Sequence, residues 1–170
     1  MGEQAVRIAK IDVEKLIGML NEALAEEWLA YYQYWIGARM LECPMRAEVE
    51  AELLLHATEE LGHAVLVADR IIQLGGTPVL NPNQWASLAR CPYAEPTDPY
   101  IEVMLNQNLE GERCAIARYE EIAEYTNGKD FSTYQMAITI LNDELEHEHD
   151  IEAFLTDLAR LKEDIRKIRL

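Results

Sequence analysis

Apolar residues recur at steps of three and four along four stretches of the chain, and each stretch predicts a long helix. Leu16, Leu20, Ala23, Ala30, Tyr34 and Leu41 draw the first stripe, with Asp12 as its N-cap. Val49, Leu53, Val67, Ile71 and Leu74 draw the second. Cys43-Pro44 breaks the chain ahead of it, Pro44 suits its first turn, and Gly75-Gly76 stops it. The third stripe is Ile101, Leu105, Ala115, Tyr119 and Ile122, between a start at Thr97-Asp98-Pro99 and an end at Asn127-Gly128. The fourth opens on a capping box, Ser132 with Gln135, and runs through Ile140, Ile151, Phe154 and Leu158. The expected helices span about 12–42, 45–75, 98–127 and 132–168 of one domain, 1–170.

The connections set the topology. The break at Cys43-Pro44 is short, so the first two helices run antiparallel. Residues 76–97 form a long crossover carrying Pro78, Pro82, Pro92 and Pro96, with Asn83 to Ala89 as a candidate short helix. A connection that spans the bundle makes the second and third helices parallel. Lys162 to Leu170 continue the fourth helix, leaving no room for a separate fifth. The fold class is therefore an all-α four-helix bundle with one long crossover between helices two and three.

Acids interrupt all four stripes. Glu27 stands in the first, Glu60 and His63 in the second, Glu112 in the third, Glu144 and His147 in the fourth. A Glu and a His three residues on lie one turn apart, roughly 4.5 Å along the axis, and project together. A bare buried carboxylate is very costly, so such acids must be paired, protonated or bound to metal. Four acids and two imidazoles with no Lys or Arg among them suit two divalent cations at the bundle centre. Glu110 competes with Glu112 on the third helix, but it aligns with Gln107 and Cys114 on a neighbouring face. His56 is either an accessory ligand or a hydrogen-bonded core histidine, while His149 with Glu146 falls on the wetter side. Trp28, Tyr31 and Trp35 read as packing residues.

Composition adds limits. With 170 residues, 49% hydrophobic and 27% charged, the chain is an ordinary globular domain. Its formal net charge of −16 argues against DNA binding; such an acidic excess most often confers solubility, and its functional alternative is a field that gathers cations. Apolar runs are too short for a membrane span, no signal-peptide pattern is present, and three irregularly spaced cysteines fit a reducing compartment. The expected location is cytoplasmic.

Leu20-Asn21-Glu22-Ala23-Leu24-Ala25-Glu26-Glu27-Trp28-Leu29-Ala30-Tyr31-Tyr32-Gln33-Tyr34-Trp35 resembles the first helix of bacterioferritin, within the ferritin-like superfamily. The intervals from Glu27 to Glu60, 33 residues, and from Glu112 to Glu144, 32 residues, are similar to that family's. The resemblance implies that Glu60 and Glu144 bridge two irons, with Glu27 and His63 on one and Glu112 and His147 on the other. Leu61 stands where bacterioferritins carry their haem-ligating Met, so no haem is expected. The longer crossover with Cys91, Cys114 after Glu112, and the lack of a fifth helix resemble the Dps-like thioferritins. That likeness implies a dodecameric cage, a ferroxidase using peroxide or dioxygen, iron storage, protection against oxidative stress, and Cys91 and Cys114 as a redox pair. Taken alone, the cysteine spacing leaves independent packing equally open. A competing reading is a rubrerythrin-like peroxidase or dimanganese catalase without storage.

Overall fold

The four stripes are buried as four long helices. In the computed structural model, which describes residues 3–43 and 45–168, α1 is Glu3–Ile8, α2 Val13–Met40, α3 Arg46–Gln73, α4 Trp85–Leu88, α5 Ile101–Thr126 and α6 Phe131–Ile168. A 3-10 turn, Pro82–Gln84, leads into α4. The expected role of Pro44 in a first helical turn, and the last residues of the tail, lie outside the described residues. The N-terminal α1 was not foreshadowed by the stripes; it has no buried residue to mark it.

The core falls into two apolar clusters. One gathers Leu16 and Leu20 of α2, Val67 and Ile71 of α3, Ile122 of α5 and Ile140 of α6. The other gathers Tyr34 and Ala38, Val49 and Leu53, Ile101 and Leu105, and Ile151 and Leu158 from the same four helices. The start of α3 thus shares an end of the bundle with the start of α5, so the crossover makes these helices parallel, while α2–α3 and α5–α6 are antiparallel pairs. The interrupting acids fall between the two clusters. No described helix is long and apolar enough to cross a membrane.

Polar side chains of α2 hold the crossover. Asn21 donates to the Thr77 carbonyl (3.2 Å) and accepts from the Val79 amide (2.7 Å), and Gln33 accepts from the Ala94 amide (2.8 Å). Trp85 of α4 stacks on Trp28 with ring centroids 5.4 Å apart. Trp35, expected to pack inside, is 37% exposed and stacks against Tyr32 on the surface.

Helix starts differ from expectation where a stronger acceptor intervenes. Asp12 caps α2 as expected, accepting from the Lys15 amide (3.0 Å). In α5 the first helical residue is Ile101 rather than one near Asp98. Asp98 instead accepts from the Tyr100 amide (2.9 Å), and the Pro99 carbonyl accepts from the Glu42 amide (2.8 Å), which keeps Tyr100 extended. In α6 the cap is Asp130 and not Ser132. Its carboxylate accepts from the Ser132 and Thr133 amides and from the Thr133 hydroxyl, and it faces Arg70 at 2.7 Å. A charged group that takes several donors outcompetes a hydroxyl that takes one. Gly75 (φ 81°) ends α3 in the left-handed region.

The Arg70–Asp130 pair is buried and ties α3 to the start of α6. Burial alone would raise the Asp130 carboxyl; Thr133 and Arg70 overcome it and hold it below its ordinary range. A depressed folded value stabilises above the unfolded pKa, about 3.9, and the gain is lost as pH falls through the folded value. Asp130→Asn keeps a cap but strands a buried guanidinium, at about 3–5 kcal/mol. Its melting temperature is therefore expected roughly 10 °C below wild type at neutral pH, the gap closing only in strong acid. A gap under about 2 °C at neutral pH contradicts this account.

Candidate metal centre

Six side chains converge between the apolar clusters, none more than 3% exposed: Glu27 from α2, Glu60 and His63 from α3, Glu112 from α5, Glu144 and His147 from α6. They form two overlapping donor sets, Glu27, Glu60, His63 and Glu144, and Glu60, Glu112, Glu144 and His147, each with one donor atom per residue within 4.8 Å of the others. His63 Nδ1 lies 3.5 Å from Glu27, 3.5 Å from Glu60 and 3.1 Å from Glu144. His147 Nδ1 lies 3.5 Å from each of Glu60, Glu112 and Glu144. Glu60 and Glu144 each turn one oxygen to either histidine, so both belong to both sets.

On α5 it is Glu112 that reaches this cluster. Glu110 is 77% exposed and pairs with Arg113 on the surface. His149 and Glu146 are likewise exposed.

A second layer orients the six. Tyr34 donates to Glu112 and Tyr119 donates to Glu27, two crossed braces between α2 and α5. Each tyrosine stands seven residues after the glutamate of its own helix and holds the glutamate of the other. The outer nitrogens are held as well, His63 Nε2 by Asp143 (3.2 Å) and His147 Nε2 by Glu59 (2.9 Å). Such bonds turn Nδ1 of each ring inward, where it offers a lone pair once a cation displaces its proton. Sequence reasoning missed both acids, although each immediately precedes a cluster glutamate, in Glu59-Glu60-Leu61-Gly62-His63 and Asp143-Glu144-Leu145-Glu146-His147.

Electrostatics shows what the cluster needs. Burial pushes Glu27 up to about 8, partly offset by His63. Glu144 is driven well above the carboxylate range by burial and by Glu60 and Glu112. Burial opposes ionisation of Glu60 too, but His147 and His63 hold it down to about 2. Burial would lower His63 and His147, yet the surrounding carboxylates raise both far above the usual imidazole value. Without cations, protons must neutralise this centre, and cation binding displaces them.

The donors fit divalent ions. Glu27 Oε2, His63 Nδ1, Glu112 Oε2, both Glu144 oxygens and His147 Nδ1 are buried without a hydrogen-bond partner, and all face into the two sets. Carboxylate and imidazole donors in this mixture suit first-row dications. A cavity of about 40 Å³ runs from Cys91, Pro92 and Tyr93 to Glu27, Glu60 and Glu112, larger than the ~15 Å³ a single water needs.

Residues 17–161 match the family described as a ferritin-like domain. The chain belongs to the ferritin-like family. Among solved structures, a thioferritin described as dodecameric, the bacterioferritin-related protein of Bacteroides fragilis, superposes with a TM-score of 0.94 at 55% identity, covering 95% of this chain and 98% of that one. The DNA protection during starvation protein of Pyrococcus furiosus is 41% identical over 148 residues, 86% of this chain and 80% of its own. A bacterioferritin of Brucella melitensis is 30% identical over 151 residues, 88% of both chains.

In this ferritin-like chain Cys91 and Cys114 form a disulfide, with Cα atoms 5.7 Å apart, and Cys91 lines the cavity. Its crossover half is held by Glu26, which accepts from the Arg90 (2.7 Å) and Cys91 (3.3 Å) amides and pairs with buried Arg118 (2.8 Å). Glu26 is not among the residues of the first stripe. Its partner lies 92 residues away on α5, and no local pattern signals it. Cys43 is free. Thiol titration in denaturant without reductant is expected to give one thiol per chain, and three after reduction. The bond closes a stretch of 23 residues, so its reduction costs about 3 kcal/mol of unfolding free energy. Three thiols without reductant contradict the pairing.

Proposed function

We propose that this chain is a ferroxidase of the ferritin-like family that oxidises Fe²⁺ with peroxide or dioxygen and stores the ferric product inside a homo-oligomeric cage. One observation carries the reading: buried, unpartnered oxygens and ring nitrogens form two donor sets that share Glu60 and Glu144. Fe²⁺ is the substrate. Glu27 and His63 hold one ion, Glu112 and His147 the other, and Glu60 and Glu144 give an oxygen to each. Two Fe²⁺ lose one electron each, and one peroxide with two protons is reduced to two waters.

The chain's own residues do the rest. The six ligands bring four carboxylates to two dications, which balances charge where protein cations are missing. Tyr34 and Tyr119 stay protonated, because burial and Glu112 or Glu27 beside them push both far above the phenol range, and so they remain donors that fix the outer carboxylates. The cavity beside Cys91 admits a small oxidant. Cys91 and Cys114 supply a second route for peroxide: two thiols and one peroxide give the disulfide and two waters. Leu61 offers no thioether for haem, so iron is bound without it.

A dodecamer is the assembly we infer, after the Bacteroides relative. Exposed Tyr32, Trp35, Val65, Leu66 and Ile72 provide apolar surface for neighbouring subunits. With a net charge of −16, protection comes from removing iron and peroxide and not from coating DNA. The cytoplasm is the expected compartment. A disulfide there is a redox device and not a permanent staple.

Purified protein is expected to oxidise about two Fe²⁺ per peroxide and to retain many ferric ions per subunit in a cage-sized particle. Glu60→Ala with His63→Ala should slow oxidation more than about 100-fold while leaving the assembly intact. Unchanged oxidation in that variant contradicts the ferroxidase assignment. A dimer retaining only about two ions per subunit would favour the peroxidase or catalase reading.

A further inference from the structure

Outside the six-residue cluster, His56 of α3 is a buried histidine with no assigned role. It is 1% exposed, and neither ring nitrogen has a hydrogen-bond partner. A structural histidine at such depth is normally satisfied on at least one nitrogen. Its ring is fixed on two sides, stacked on His147 with centroids 4.0 Å apart and met edge-on by Tyr34 at 5.2 Å. That packing aims Nε2 at two carboxylates, Glu52 Oε1 at 3.5 Å and Asp150 Oδ2 at 3.8 Å.

These separations are long for hydrogen bonds and suited to a shared ion. Donors that bind one first-row cation at about 2.1 Å stand roughly 3–4 Å from each other. One atom from each of Glu52, His56 and Asp150 lies within 4.8 Å of the others, the same criterion that the two central donor sets meet. The three residues line a polar cavity of about 70 Å³ whose other walls include Glu59, Asp143 and Glu146 and no Lys or Arg. At about 30 Å³ per water, it has room for an ion and a water that completes its coordination. Glu52 and Asp150 are 29% and 35% exposed, so the cavity opens to solvent on the far side of His147 from the bundle centre.

We propose that Glu52, His56 and Asp150 form a third cation site, mononuclear and distinct from the central pair, for a divalent first-row metal ion. One nitrogen and two carboxylate oxygens hold the ion, and water supplies the remaining positions. The site stands on its own donors and does not require the ferroxidase reading. Glu59 and Asp143, which hold the outer nitrogens of His147 and His63, contribute field and no ligand atom.

The test uses Zn²⁺, which has no redox chemistry, with the assembled full-length protein. Anomalous scattering at the zinc edge is expected to place an ion between Glu52, His56 and Asp150. Calorimetric titration should lose one Zn²⁺ per subunit in Asp150→Asn and in Glu52→Gln. These partly exposed, near-isosteric changes spare the His56–His147 stack and so keep the test independent of folding. Glu60→Ala with His63→Ala should lose the ion between Glu27 and His63 and keep this one; the ferroxidase reading is tested separately, by the rate of Fe²⁺ oxidation in that variant, and its failure leaves this site unaffected. No anomalous peak among the three residues, or an unchanged peak in both Asp150→Asn and Glu52→Gln, overturns the proposal.

Discussion

Four carboxylates are buried at the midpoint of this bundle, and among the described residues no Lys or Arg reaches them. A domain of this size is stable by about 5–15 kcal/mol, while each uncompensated buried charge costs several kcal/mol. The bundle cannot bear four bare charges. Something mobile must neutralise them, and the raised values of Glu27, Glu144, His63 and His147 identify protons as that agent when no cation is bound. Two dications would do the same work, because the unpartnered atoms already belong to the two donor sets. The two apolar clusters on either side carry the packing that this polar layer gives up.

The centre has an approximate twofold arrangement, and it extends past the six residues. Each half of the chain supplies a terminal glutamate, a Glu-x-x-His turn, a tyrosine that braces the other half's glutamate, and an acid that holds the other half's histidine. Every one of these bonds crosses between halves. Displacing one helix pair therefore disturbs both donor sets together. The crossover is fastened separately, by Asn21, Glu26 and Gln33 and by the Cys91–Cys114 bond, so the cavity beside Cys91 is framed by elements outside the donor layer.

Much of this was legible in the sequence because helical periodicity reports burial. The phase of the apolar stripes put Glu27, Glu60, His63, Glu144 and His147 on inward faces, and the same phase separated Glu112 from exposed Glu110. Local pattern chose Ser132 as the cap of the fourth helix, and the long-range partner Arg70 decides for Asp130. Glu26 was missed because its counterion is distant in sequence, and Trp35 because an aromatic residue is no proof of an inward face. Glu59 and Asp143 were visible as a repeated acid before each cluster glutamate, but only the assembled bundle shows whose histidine each one holds. The disulfide came from family likeness alone, since cysteines 23 residues apart carry no distance information.

The most direct test of the account is anomalous diffraction at the iron edge from crystals loaded anaerobically with Fe²⁺. The account predicts two iron peaks per subunit, about 3.5–4 Å apart, with Glu60 and Glu144 between them and one histidine on each. Crystals that take up iron elsewhere and leave Glu27, Glu60, His63, Glu112, Glu144 and His147 without it would contradict the claim that cations neutralise the buried acids.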